Sequence, residues 1–394
     1  MLADCGGSSD TLSPTARGST NTFSAGRQTS GYRSLFSFDG KDGKVPWSGL
    51  TVLGGTLYGT TPKGGTRNKG TVFSITADGA EHVLYSFKGG ADGKYPYGGL
   101  TALHGVLYGT TYSGGAYDAG TIYSITVAGK KSVLYSFKGG SGDGDFPDGP
   151  MTNLNGTLYG TTFEGGGGGG YGTIFGVTTS GAEHLVYSFK YHHDGAYPRS
   201  SLTAFKGSLY GTTTEGGANK AGHNECTNIG CGTVFSVTTA GKERVLHRFL
   251  GPPDGDNPDA SGLTLVDGTF YGTTFQGGSD NEAGSVFSIT PSGDEHVIYA
   301  FGESGNGMGP EGGLTDLNGT LYGATEYSGF FTCCGTIYSV TTAGSKQLLY
   351  TFTASSYLDG ADPHAGVAIL NGTLYGTTQH GGRNNLGTAF AFTP

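Results

Sequence analysis

A five-residue cassette, Leu-Tyr-Gly-Thr-Thr or a close variant, recurs along nearly the whole chain. Its tyrosines are Tyr58, Tyr108, Tyr159, Tyr210, Tyr271, Tyr322 and Tyr375, spaced by 50, 51, 51, 61, 51 and 53 residues. Self-similarity at a fixed period of this length is the signature of a repeat architecture, and seven near-equal units limit the chain to a ring or a solenoid. Each unit carries four short runs rich in Thr, Tyr, Val, Ile and Leu. In the second they are Gly99 to Leu103 (a), Val106 to Thr111 (b), Thr121 to Thr126 (c) and Ser132 to Phe137 (d), separated by glycines. Such runs read as strands and the glycines as turns. Four antiparallel strands per unit, repeated seven times, predict an all-β fold, a seven-bladed β-propeller over residues 31–394.

Composition agrees. The chain has 394 residues, 78 of them Gly, and 24 Tyr with 22 Phe supply the apolar mass for a large core. Glycine does not recur every third residue, which excludes collagen, and at this density it would cost about 1 kcal/mol per position in a helix. The ends complement each other. Tyr32-Arg33-Ser34-Leu35-Phe36-Ser37-Phe38 matches strand d, while the chain stops after a run matching strand c, Thr388-Ala389-Phe390-Ala391-Phe392. The N-terminal strand is therefore expected to complete the last blade and remove the open edges of a linear array. A ring closed in this way is expected to be a monomer.

A formal net charge of -9 and the lack of a Lys/Arg run interleaved with aromatics argue against nucleic acid as a partner. No stretch approaches the ~20 apolar residues of a membrane helix. Residues 1–30 read as a flexible tether, poor in apolar residues and without a strand pattern. Within it, Leu2-Ala3-Asp4-Cys5 is similar to the lipidation box of bacterial lipoproteins, which makes Cys5 a candidate lipid anchor, the only membrane contact expected.

The turns from a to b and from c to d are short, whereas the d-to-a and b-to-c loops are long and varied. Ligand contacts are expected on the long-loop face, because variable loops on a rigid scaffold are where binding evolves. Every d-to-a loop holds an Asp-Gly or Asn-Gly pair with Pro three residues after the Gly, from Asp42-Gly43/Pro46 to Asp359-Gly360/Pro363. Calcium is one reading of this acidic ring. A purely local role is favoured, with Asp accepting backbone N–H groups, Gly at positive φ and Pro fixing the approach to strand a, because a cation needs its ligands in one place. No cofactor or metal is required.

Residues that break the repeat are better candidates. Trp47, Tyr95, Tyr97, Phe146, Phe163, Tyr191, Phe275, Phe330 and Phe331 are candidate ligand contacts, suited to stacking on sugar rings or anchoring a protein. His192, His193, Tyr197 and Arg199 are the candidate catalytic residues, able to supply a base, an acid and a carboxylate clamp. Glu164, Glu215 and Glu326 are read as matching positions after strand b, a carboxylate set for glycoside hydrolysis. Four cysteines lie in b-to-c loops, and Cys226–Cys231 and Cys333–Cys334 disulfides are expected, which favours an oxidising compartment.

The unit GLTALHGVLYGTTYSGGAYDAGTIYSITVAGKKSVLYSF resembles the GloVer tandem repeat of bacterial "choice-of-anchor" proteins through all seven units, and is more distantly similar to kelch and NHL propellers. That resemblance implies a secreted, periplasmic or surface-attached protein and supplies no catalytic residues. Two functions follow as expectations. The first is an extracytoplasmic binding or adhesion module for a glycan or protein; the second is a polysaccharide-cleaving enzyme, a lyase or glycoside hydrolase, on the same face.

Overall fold

The computed structural model describes residues 31–217, 230–258, 262–279, 281–302, 306–329, 333–353 and 359–394. The N-terminal tether and Cys5 therefore lie outside the described residues. Seven four-stranded antiparallel sheets form the blades of a propeller. In blade two the strands are Thr101–Leu103 (a), Val106–Thr111 (b), Thr121–Thr126 (c) and Lys131–Ser136 (d). Strand a is shorter than its sequence suggests because Gly99 and Leu100 enter from the loop before pairing begins, and strand d starts one residue early.

Closure is as the chain ends imply. The strand Tyr32–Ser37 pairs antiparallel with Thr388–Phe392 and becomes strand d of blade seven. Phe38, just beyond it, is fully buried against blade one, and Tyr32 stacks on Tyr350 of blade six at 4.1 Å. One segment thus grips three blades.

The cassette explains how blades stack. In strand b the Leu points to one neighbouring blade and the Tyr to the other, so Leu107 packs with Tyr58, Val72 and Phe87 of blade one while Tyr108 meets Leu158 and Phe175 of blade three. The core is divided into seven clusters, one per joint. Each joint centres on a T-shaped aromatic pair: Phe38–Phe73, Phe87–Tyr123, Phe137–Phe175, Phe189–Phe235, Phe249–Phe287, Phe301–Tyr338 and Phe352–Phe390, with centroids 5.1–5.5 Å apart. Edge-to-face pairs at this separation add about 0.5–1.5 kcal/mol each to the burial of their surface.

The cassette glycine makes room for that aromatic. Gly109 lies opposite Tyr123, and Gly272 opposite Phe287, so a Cβ at Gly272 would stand 2.6 Å from the Phe287 ring. The second Thr of each cassette bonds the first residue of strand c, as in Thr61–Thr71 and Thr111–Thr121 at 2.8 Å. At the axis, the Thr of strand a donates to a carbonyl of the next blade. Thr51 reaches Leu100 and Thr101 reaches Met151, both at 2.5 Å, and Thr152, Thr203, Thr264 and Thr315 continue the series. Blade seven has Ala368 at this position and makes no such bond.

The outer strand of every blade carries a β-bulge, between the partners of Val72 and Phe73 in blade one and at the matching place elsewhere. The bulged carbonyl, such as that of Leu35, faces a turn glycine of the next blade, Gly79, where a Cβ would come within 2.7 Å. Bulging the edge in this way turns a row of open hydrogen-bond groups toward a neighbour in the same chain.

Candidate functional site on the long-loop face

The Asp-Gly-x-x-Pro segment builds this face. Asp143 accepts the Tyr135 hydroxyl and the Lys138 N–H at 2.8 Å and the Gly144 N–H at 2.7 Å; Asp194 and Asp359 are held in the same fashion. The glycine is dictated by close approach more than by φ. A Cβ at Gly144 would lie 2.4 Å from Thr162, and every matching Gly meets a cassette Thr, yet only Gly43, Gly93, Gly195 and Gly307 have positive φ. Gly144, Gly255 and Gly360 instead form short ladders with the b-to-c loop, which corrects the expectation of a uniform turn.

The residue just before each Pro is left-handed in all seven blades: Val45, Tyr95, Phe146, Tyr197, Asn257, Gly309 and Asp362, with φ of 54–62°. Its N–H donates to the b-to-c loop of the previous blade, as from Tyr95 to Lys69 and from Phe146 to Ala119. Its carbonyl accepts the N–H that follows the cassette in its own blade, as from Tyr112 to Tyr95 and from Phe163 to Phe146. In five blades this reversal aims the residue after the Pro at the propeller axis.

The residues that follow the seven prolines in sequence are Trp47, Tyr97, Asp148, Arg199, Asp259, Glu311 and His364, nearly all different. Asp259 lies outside the described residues. Trp47, Tyr97, Asp148, Arg199 and His364 line an axial funnel of about 330 Å³ whose floor is the glycines, leucines and threonines of strand a. His364 Nε2 is 2.8 Å from Glu311 Oε1, both side chains being buried, and the Trp47 ring lies 3.9 Å from the His364 ring. Arg199 faces Asp148 at 3.8 Å and lies over the Phe163 ring at 4.3 Å.

Two aromatic arcs buttress this rim. One runs from His364 through Trp47, Tyr97 and Tyr112 to Phe146, each ring within 5.4 Å of the next. The other runs from Arg199 through Phe163, Tyr197 and Tyr171 to Tyr191. Burial, then the Asp148 charge, raises the Tyr97 and Tyr112 hydroxyls above their ordinary pKa. Behind the wall, Glu326 is pushed up to about 7 by burial and then by the Glu311 carboxylate.

The sequence candidates separate accordingly. Trp47, Tyr97 and Arg199 reach the funnel. Phe163 and Tyr197 support Arg199, Phe146 supports Tyr112, and Phe275 covers Gly309. Tyr95 is engaged by Lys69, whose Nζ lies 3.1 Å from its hydroxyl and 5.1 Å from its ring. Tyr191 stacks on Tyr171 away from the axis. Phe330 and Phe331 lie outside the described residues. His192 and His193 are exposed on the outer loop and do not line the funnel with Arg199, because Tyr191 turns the chain outward before Asp194 anchors it. Glu164 and Glu215 share a register, each bridging the d-to-a loop, but Glu326 stands one residue earlier, so the three are not one set. Asp148, Glu311 and His364 were missed in the sequence, although the residue after each loop Pro was the signal. Cys333–Cys334 is a disulfide, and Cys231 is disulfide-bonded while its expected partner Cys226 lies outside the described residues.

The Gloeobacter/Verrucomicrobia repeat model matches residues 11–225 and 223–394. The chain belongs to the Gloeobacter/Verrucomicrobia repeat family. No curated protein matches the chain in sequence. Among solved structures, virginiamycin B lyase from Staphylococcus aureus is similar at 17% identity and TM-score 0.57, with 92% of this chain and 98% of that one covered. A streptogramin B lyase is similar at 14% identity and TM-score 0.56, covering 91% and 96%. At such identities the likeness of this repeat-family member to both is one of fold. Among the described residues, no helix is long and apolar enough to cross a membrane.

Proposed function

We propose that this protein is an extracytoplasmic glycan-binding module whose axial funnel takes a terminal sugar unit of a neutral polysaccharide. The convergence on one axis of five post-proline residues, Trp47, Tyr97, Asp148, Arg199 and His364, carries this reading, because the repeat itself demands no particular side chain there. Trp47 and Tyr97 offer ring faces to the apolar side of a pyranose, while Asp148, Arg199 and His364 offer donors and acceptors to its hydroxyls. A funnel of about 330 Å³ matches a ligand of one or two sugar rings, at the small end of ligand pockets. Arg199 already faces Asp148 and His364 already faces Glu311, so little unbalanced charge is left for an acidic chain. The Cys333–Cys334 disulfide supports a location outside the reducing cytoplasm.

A second reading, a polysaccharide-cleaving enzyme at the same funnel, is favoured by one observation. Glu326, pushed up to about 7 by burial behind the Glu311–His364 pair, suits relaying a proton through that pair to the funnel at working pH. Incubation with neutral and acidic polysaccharides, following retention and new chain ends together, separates the readings. Retention on neutral polymers without cleavage, weakened at least tenfold by Trp47→Ala or Arg199→Ala, is the expected result. New chain ends lost in Glu326→Gln would establish the enzyme, and retention only on acidic polymers would overturn the neutral-glycan reading.

A further inference from the structure

Each joint between blades contains a polar chamber on the outer side of its aromatic pair. It is formed by the fifth residue of one strand d, the loop Asp or Asn that follows, and the first residue of the next strand d. In two chambers that last residue is a lysine. Lys131 Nζ sits 3.0 Å from Asp92 Oδ1, and Lys346 donates to the Asn306 carbonyl. In these two chambers the chain itself places an amino group beside an acceptor of the neighbouring blade. Four others place glutamates there, Glu81, Glu183, Glu243 and Glu295, each opposite a loop Asp.

The chamber between blades four and five differs again. Where other chambers have Tyr85, Tyr135, Tyr187, Tyr299 or Tyr350, it has His247. His247 Nε2 lies 3.0 Å from Asp254 Oδ2 and 3.9 Å from Glu295 Oε2, and one ligand atom from each residue falls within 4.8 Å of the others. The Glu295 side chain is only 10% exposed, and its Oε1 is buried without a hydrogen-bond partner. Two carboxylates and an imidazole are a balanced set for one doubly charged ion. Ligands about 2.0–2.2 Å from a tetrahedral centre stand ~3.3 Å apart, so small side-chain adjustments would close this triangle on an ion.

We propose that His247, Asp254 and Glu295 bind one zinc-class divalent cation, which ties blade four to blade five as Lys131 and Lys346 tie their own joints. Calcium fits poorly, since it takes six to eight oxygen ligands and here one ligand is an imidazole nitrogen. Among the described residues no fourth His, Cys, Asp or Glu joins the three, so water completes the coordination.

The test uses the full chain after dialysis against a chelator, with zinc titrated by calorimetry and cobalt(II) followed by its visible absorption. One tight equivalent of zinc, a cobalt band and a rise in Tm are expected. His247→Tyr restores the residue of the sister chambers and should fold; it should lose the band and weaken zinc binding about 100-fold or more. Glu295→Gln keeps the shape and should weaken binding at least tenfold. No stoichiometric zinc in the unaltered chain, or binding that survives His247→Tyr through histidines such as His192 and His193, would overturn the proposal.

Discussion

A single glycine per blade decides whether two aromatic rings can meet. The cassette Gly sits across from the strand c aromatic, and in blade five the approach of Phe287 leaves no room for a methyl group at Gly272. Gly272→Ala should destabilise the protein by about 1–3 kcal/mol, the cost of overpacking a filled core, measured as a lower denaturant midpoint. Gly142 has open space around it and no left-handed backbone, so Gly142→Ala should be neutral or gain about 0.4–1 kcal/mol by restricting the unfolded chain. Equal costs at the two positions would show that packing is not what selects glycine in the cassette.

At the scale of the strand, the first residue of strand d gives the joints a pH dependence. Burial, followed by a facing Asp, pushes Glu81, Glu183 and Glu243 up to about 7. Between the ordinary glutamate value of about 4.3 and 7, the folded chain keeps protons that the unfolded chain has lost. Stability is therefore full at the acidic end of that window and falls as pH rises through 7. Thermal unfolding should show a higher Tm at pH 5 than at pH 8. Glu183→Gln should leave the Tm at pH 5 nearly unchanged and raise it at pH 8, whereas a flat profile in the unaltered chain would mean that water reaches these carboxyls freely. Asp92, lowered by its bonds to the Lys88 N–H, Tyr85 and Lys131 against the opposing effect of burial, contributes the opposite slope at more acidic pH.

For the whole molecule, closure rests on one six-residue strand. Tyr32–Ser37 supplies the outer edge of blade seven, Tyr32 stacks on blade six, and Phe38 fills the joint with blade one. Removing residues 31–38 along with the preceding segment should expose strand Thr388–Phe392 as a bare edge and empty a core site. The expected result is loss of a single cooperative unfolding transition and light scattering from aggregates. Removal of residues 1–30 alone should leave the transition in place. If both truncations unfolded alike, the ring would not depend on its closing strand.

Much of this was legible in the chain because local physics dictates it. Alternation of Leu and Tyr in strand b, glycine opposite an aromatic and turn residues at fixed offsets are each set by immediate neighbours. Counting seven of them, with complementary ends, determined a closed seven-bladed ring. The site was only partly legible. Trp47, Tyr97 and Arg199 stood out as departures from the repeat, but Asp148 and His364 are ordinary polar residues in loops until the left-handed turn before the Pro points them at one axis, and Glu311 joins them only by its contact with His364. His192 and His193 stood out as adjacent histidines, yet chain proximity does not make side chains converge. His247, Asp254 and Glu295 are likewise scattered over two repeats, and only the stacking of blade four on blade five brings them together. A repeat sequence specifies each blade and its contacts with the next, whereas what meets on the axis or inside a joint is set by rotation around the ring.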